Sequence, residues 1–246
     1  MPKTIILIPS RMSATRLPGK PLLKINNLSI ISHVVRKALE TKIGEVVVAT
    51  EDQEILYEVE KNGGKAILTS NLHKTGTDRI FECFKKLKLL ETEYIINLQG
   101  DEPQINKDDI IKLNNLMIKN NSNIGTLAAK IYDESMLPNE NIVKVNLKEK
   151  LDDNNFPLAF DFKRKITDEK NLYTYHHIGI YCYKVETLEK FIKLKQSKNE
   201  IKNRLEQLRA MENEIRINVA LSKFCPIGID TMEDYLALKK KLEYNS

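Results

Sequence analysis

The run Thr4-Ile5-Ile6-Leu7-Ile8-Pro9 constrains the fold of this chain more than any other feature. A strand with one wet face alternates apolar and polar residues. A run that is apolar at every position belongs in a sheet covered on both faces, which is the habit of parallel sheets flanked by helices. Val46-Val47-Val48-Ala49 and Tyr94-Ile95-Ile96-Asn97-Leu98 repeat the pattern, and Ala66-Ile67-Leu68 is a shorter version.

Amphipathic helical spacings fall between these runs. Ile30, Ile31, Val34, Val35 and Ala38 form one, with Ser29 as its cap. Ile55, Leu56 and Val59 form a second, preceded by a capping-box pattern in Thr50-Glu51-Asp52-Gln53 and closed by a left-handed Gly63-Gly64. Ile80, Phe81, Phe84 and Leu87 form a third. Further helices are expected over 108–118, 185–194, 200–211 and 231–243, and further strands over 125–131, 177–183 and 215–221. Strands alternating with helices predict a doubly wound α/β fold on a mixed, mostly parallel sheet. The polar stretch 142–175 breaks the rhythm. It reads as an inserted arm, on the sugar side or for dimerisation, within one domain spanning 1–246.

Composition narrows the class. Of 246 residues, 41% are hydrophobic, enough for a sizeable core, so a disordered chain is excluded. No apolar run approaches the ~20 residues of a membrane span, and the N-terminal run is too short for a signal peptide. The net charge of +5 comes from lysines scattered over helix faces, such as Lys85, Lys86 and Lys88, rather than from a nucleic-acid stripe. Cys83, Cys182 and Cys225 are widely spaced and odd in number, which argues against disulfides or zinc and for small core residues in a reducing cytoplasm.

Ligands of open α/β sheets bind beyond the carboxyl ends of the strands. After the first strand comes Ser10-Arg11-Met12-Ser13-Ala14-Thr15-Arg16-Leu17-Pro18-Gly19-Lys20, with three cations in ten residues. Arg forks and Lys point charges suit phosphate oxygens. Neither a GxxxxGK[ST] loop nor a GxGxxG turn is present, so the cradle is neither a P-loop nor a dinucleotide fingerprint. Asp101 follows a buried strand and Gly100, and Asp230 follows Gly228-Ile229. The residues alone leave two roles open for each: metal ligation, or the start of a turn for Asp101 and a helix cap for Asp230.

The segment Arg11-x-x-x-x-Arg16-Leu17-Pro18-Gly19-Lys20-Pro21-Leu22 resembles the signature of the sugar nucleotidyltransferases, in particular the CMP-sugar synthetases, and most closely the branch acting on 3-deoxy-manno-octulosonate (Kdo). The resemblance continues, in order, through Ala49–Asp52, Gly76–Arg79, Asn97–Pro103, His177–Tyr181, Leu205–Arg209 and Ile229–Asp234. It implies a cytoplasmic enzyme that joins CTP to an acidic ulosonic sugar, releases diphosphate, and serves lipopolysaccharide synthesis as a homodimer. It implies Arg11, Arg16, Lys20, Gly76 and Thr77 at the nucleotide, and Arg11, Lys20 and Asp101 in catalysis. Mg²⁺ is expected on Asp101 and Asp230. Arg79, Gln99, His177, Tyr181, Glu206 and Gln207 are expected at the sugar, Arg79 against its carboxylate and His177 orienting the acceptor hydroxyl or taking its proton. His176 points the other way.

Two stretches depart from the family pattern. Ala159-Phe160-Asp161-Phe162 and Lys163-Arg164-Lys165-Ile166 stand where family members carry Tyr-Phe-Ser-Arg and the following Ile-Pro, so the Ser-Arg is lost and substitution by the nearby Arg164 stays open. Before Glu206, one family glutamate survives as Glu200 and a second is Asn203. Both changes fall on the sugar side or the arm. They keep two alternatives in view: a synthetase for another acidic sugar, such as an 8-amino-Kdo or a sialic-type sugar, or a nucleotide-binding protein without turnover.

Overall fold

The computed structural model describes residues 3–13, 17–166, 172–225, 228–229 and 231–243. The expected Arg16 and Asp230 lie outside them. In chain order the first strands and helices are β1 (Lys3–Ser10), β2 (Lys24–Ile25), β3 (Leu28–Ser29), α1 (Ile30–Glu40), β4 (Val46–Thr50), α2 (Gln53–Lys61), β5 (Ala66–Leu68), α3 (Gly76–Leu87), β6 (Thr92–Asn97) and α4 (Lys107–Asn120). Then follow β7 (Ile124–Ala129), β8 (Lys144–Leu147), β9 (Ala159–Lys163), β10 (Tyr173–Lys184), α5 (Val185–Ile192), α6 (Lys198–Asn203), α7 (Gln207–Glu212), β11 (Ile217–Ser222) and α8 (Met232–Glu243). The chain forms two compact units, one of residues 3–110 and 226–246, the other of residues 111–225.

In the first unit β6, β1, β4 and β5 lie side by side and all parallel. The reason is the one read from the sequence: Ile5 to Ile8 are at most 1% exposed, so both faces of β1 are covered. Each such side chain contributes roughly 1.5–3 kcal/mol by leaving water. Ser29 caps α1 by accepting the Ser32 N–H, as expected. Gly63 ends α2 with φ 79°, as expected. No capping box closes the start of α2: Asp52 is the cap residue but makes no side-chain cap bond. Its carboxylate is instead committed to the first loop, described below. Leu17, Ile25, Ile30, Ile229, Tyr235 and Leu238 form a small core that ties this loop and α1 to α8.

In the second unit β11 runs parallel to β7, β10 runs antiparallel to β7 and β8, and β9 pairs antiparallel with β8. The fold class is as predicted, α/β with a mixed and mostly parallel arrangement. The arm at 142–175 differs in detail, because it holds two strands, β8 and β9, and the start of β10. Its polar sequence concealed them: Lys144 and Asn146 point inward on β8 and are wholly buried. The single helix expected over 200–211 is two, α6 and α7, broken at Arg204 in the left-handed region with φ 53°. The capping box that the sequence suggested for α2 occurs at α6, where Ser197 and Glu200 satisfy each other's backbone N–H groups. Cys83 and Cys182 are buried as expected, whereas Cys225 is half-buried with its Sγ 2.7 Å from His176 Nδ1. No helix among the described residues is long and apolar enough to cross a membrane.

Candidate active site

A cleft of about 270 Å³ opens at the carboxyl ends of β1 and β6 and the N-terminus of α3. Its walls include Pro9, Ser10, Arg11, Lys20, His73, Gly76, Arg79, Gln99, Gly100 and Asp101. Six expected site residues therefore meet there: Arg11, Lys20, Gly76, Arg79, Gln99 and Asp101.

The first loop is held in three ways. Asp52 Oδ2 accepts the Met12 N–H at 2.8 Å. Gly19 donates to the Met12 carbonyl at 3.1 Å, closing the loop on itself. Gly19 then turns the chain at φ 73°, a conformation that a side chain would strain, and Lys20 opens a short 3₁₀ turn. This geometry drives Lys20 inward. Its Nζ lies 2.6 Å from Asp101 Oδ2 and also donates to the Ile229 carbonyl. The ammonium is almost fully buried while the Asp101 carboxylate is 40% exposed, so the acid keeps a face toward the cleft. Arg11 is exposed at the lip.

Gly100 brings the β6 loop close against β1. A side chain there would come within 3.0 Å of the Pro9 carbonyl and 3.3 Å of Ser10. Thr75 caps α3, accepting the Asp78 N–H at 3.1 Å, and presents Gly76 to the cleft. Thr77 is buried in that first turn, where its Oγ1 is 3.5 Å from Asn97 Nδ2, and it is not among the cleft walls.

Arg79 lines the cleft, but its guanidinium is engaged. Nη2 pairs with Glu51, and Nη1 donates to Thr69 Oγ1 at 2.7 Å and to the Ser70 carbonyl at 3.4 Å. The Glu51 carboxylate thus balances the charge expected to face the sugar. Beside it, His73 pairs with Glu82. Burial works against the Glu82 charge, yet hydrogen bonds from Lys86, the Ser70 N–H and His73 hold its carboxyl down to about 2.

The remaining expected sugar residues belong to the second unit. His177 Nε2 is 3.0 Å from Thr126 Oγ1. The Thr126 hydroxyl has carbonyl acceptors at Ile180, 2.7 Å, and Ile178, 3.2 Å. Its proton is committed to those oxygens, so Nε2 carries the ring proton and donates to Thr126. Burial, with His176 adding, pushes the His177 imidazole down to about 3. A base that weak retains little capacity to take a proton near neutrality. His177 and Tyr181 share a face as their spacing implied, with ring centroids 5.4 Å apart. Burial raises the Tyr181 phenol well above its ordinary range, with Tyr183 and Glu206 adding. Phe162, where the resembling enzymes carry Arg, is buried edge-on against His177 at 5.1 Å. Glu206 precedes α7 and receives Arg209 Nη2 at 3.2 Å, while Gln207 is buried. Glu200 is structural: Arg209 grips it through two nitrogens, at 2.6 and 2.8 Å. α8 is capped by Thr231, whose Oγ1 accepts the Asp234 N–H at 3.2 Å.

Sequence reasoning assigned no site role to Glu51, Asp52 or His73. Glu51 and Asp52 stand directly after a buried strand, the same signal that drew attention to Asp101, but their capping-box spacing suggested a local role instead.

The cytidylyltransferase family model matches residues 5–217. A 3-deoxy-manno-octulosonate cytidylyltransferase of Thermodesulfovibrio yellowstonii is 47% identical over 97% of this chain and 98% of that protein. One from Rhodopseudomonas palustris is 40% identical over 98% of each. Among solved structures, a CMP:2-keto-3-deoxy-manno-octonic acid synthetase complexed with CTP superposes with a TM-score of 0.88 at 33% identity, covering 99% of this chain and 100% of that one.

Proposed function

The chain belongs to the cytidylyltransferase family, and from that premise we propose that it joins the cytidylyl group of CTP to 3-deoxy-manno-octulosonate, giving CMP-Kdo and diphosphate for lipopolysaccharide assembly. The observation that carries this reading is the Lys20–Asp101 pair. A cation and an acid 81 residues apart meet at 2.6 Å in a cleft at the strand ends. In the reaction a sugar hydroxyl oxygen bonds to the α-phosphorus, the bond to the departing diphosphate breaks, and the hydroxyl proton is released. Negative charge rises on the phosphate oxygens and on the leaving group. Lys20 beneath and Arg11 at the lip supply fixed positive charge against it, Arg11 as a planar fork and Lys20 as a point charge. The loop bonds of Met12 and Gly19, with those of the Lys20 ammonium to Asp101 and Ile229, preset the Lys20 side chain, so little reorganisation of it is needed when the nucleotide arrives.

Asp101 is a hard oxygen donor that already receives a cation in the form of the Lys20 ammonium. One carboxylate beside phosphate oxygens and waters is a donor set that suits Mg²⁺, so the described residues fit that ion, with Asp230 as its second expected ligand. When bound, Mg²⁺ neutralises triphosphate charge. In the second unit His177 serves as a neutral hydrogen-bonding group toward the sugar, together with Tyr181, Glu206 and Gln207. Arg79 meets the acceptor carboxylate only by sharing or exchanging Glu51. A homodimer is what the family resemblance implies.

The test is diphosphate release from CTP and Mg²⁺ with a panel of acidic sugars. Release with Kdo is expected. Release only with an 8-amino or sialic-type sugar would assign a sister synthetase, and CTP binding without release would assign a nucleotide-binding protein.

A further inference from the structure

Arg164 is the nearest arginine to the position where the family's Ser-Arg pair is missing, and its side chain faces carbonyls. Nε donates to the Asn203 carbonyl at 2.8 Å, Nη1 to Glu140 at 3.0 Å and Nη2 to Arg204 at 3.2 Å. Asn203 and Arg204 are the last residue and the cap of α6, whose final carbonyls have no partner within the helix. A guanidinium suits them twice over, because its planar fork reaches two oxygens together and its charge opposes the negative end of the helix. Arg164 is itself anchored. Its own carbonyl accepts Lys144 Nζ at 2.7 Å, and Lys144, wholly buried, also donates to the Asn139 carbonyl at 2.6 Å. Two cations thus tie the 139–140 loop, the end of β9 and the α6–α7 corner through carbonyl oxygens.

That corner needs holding. Arg204 occupies the left-handed region without being glycine, a conformation that persists only when its surroundings enforce it. The residues that follow are Leu205, Glu206 and Gln207, so the direction in which the chain leaves Arg204 sets where the latter two point. From the other side, Arg209 holds Glu206 and Glu200.

We propose that Arg164 is a positioning residue for the acceptor sugar, acting through the Arg204 corner on Glu206 and Gln207. This rests on the reading of Glu206 and Gln207 as sugar contacts. Arg164 does not stand in for the lost arginine: its guanidinium is held by the carbonyls of Asn203, Glu140 and Arg204.

The experiment is steady-state kinetics on Arg164→Ala, Arg164→Lys, Glu206→Ala, Gln207→Ala and the double variant Arg164→Ala/Glu206→Ala, each checked for folding by thermal melting. Arg164→Ala should raise the KM for Kdo by roughly 10-fold or more, because small misplacements of a binding group are costly. The KM for CTP should stay within about twofold. Arg164→Lys, which keeps the charge and the fold but loses the fork, should recover only part of the loss. The double variant should lose less than the sum of the two single losses, because part of the Arg164 effect passes through Glu206. Equal shifts in both KM values, no shift in either, full recovery by Lys, or additive losses would overturn the proposal. If Glu206→Ala and Gln207→Ala both leave the KM for Kdo unchanged, the sugar-contact reading itself fails, and this is seen independently of any Arg164 variant.

Discussion

His177 offers a sharp thermodynamic test of the second unit. Burial holds its imidazole at about 3 in the folded protein, against an ordinary value near 6.5. Below pH 6.5 the unfolded chain takes up a proton that the folded chain refuses. Stability from this residue is therefore fully present above 6.5 and is lost as pH falls toward 3. One proton corresponds to about 1.4 kcal/mol per pH unit, so the loss between pH 7 and pH 5 is about 2 kcal/mol. His177→Gln removes the titration while a side-chain amide can still donate to Thr126. Urea unfolding of both proteins at pH 7, 6 and 5 measures the difference. The wild type should lose about 2 kcal/mol more than the variant over that range. Parallel losses would mean that His177 is not held neutral by its surroundings, and would restore it as a group able to take a proton.

The Glu51–Arg79 pair should behave as a buried ion pair, since both side chains are largely enclosed. Glu51→Gln should destabilise the fold by roughly 3–5 kcal/mol in chemical denaturation and alter the KM for the sugar, whereas a loss below about 1 kcal/mol would show the guanidinium to be well solvated. Gly44 abuts β1 so closely that a Cβ would sit 1.9 Å from the Thr4 carbonyl oxygen. Gly44→Ala should therefore lower thermal stability by roughly 1–3 kcal/mol or more, and an unchanged melting temperature would refute that packing.

Much of the first unit could be read in advance because its signals are local. Ile5 to Ile8 carry their burial in their own sequence, and Ser29 and Gly63 mark helix ends by residue type. The cleft was legible for a related reason: in this architecture side chains just past strand ends converge, which drew attention to the first loop and to Asp101, and the resemblance then joined Lys20 to Asp101. The second unit was harder. Lys144 and Asn146 are polar yet buried, because the carbonyls of Asn139 and of the more distant Arg164 satisfy the one and the side chains of Asp161 and Thr174 the other. The α6–α7 break carries no glycine: Arg204 turns left-handed there, and its carbonyl accepts the Arg164 side chain 40 residues away in the chain. Asp52 looked like a helix cap because its true partner, the Met12 N–H, lies 40 residues away. In each case a long-range hydrogen bond decided the structure, and such bonds leave no periodicity to read.

The most direct test of the central claim is the rate of diphosphate release from saturating CTP, Kdo and Mg²⁺ by the wild-type protein and by Asp101→Asn. Asn keeps the size and an acceptor oxygen for Lys20 but removes the charge. The turnover number should fall on the order of 10²–10³-fold with the fold intact, as when a key electrostatic contact to a developing charge is lost. A variant that turns over at close to the wild-type rate would contradict the assignment of this cleft as the site of cytidylyl transfer.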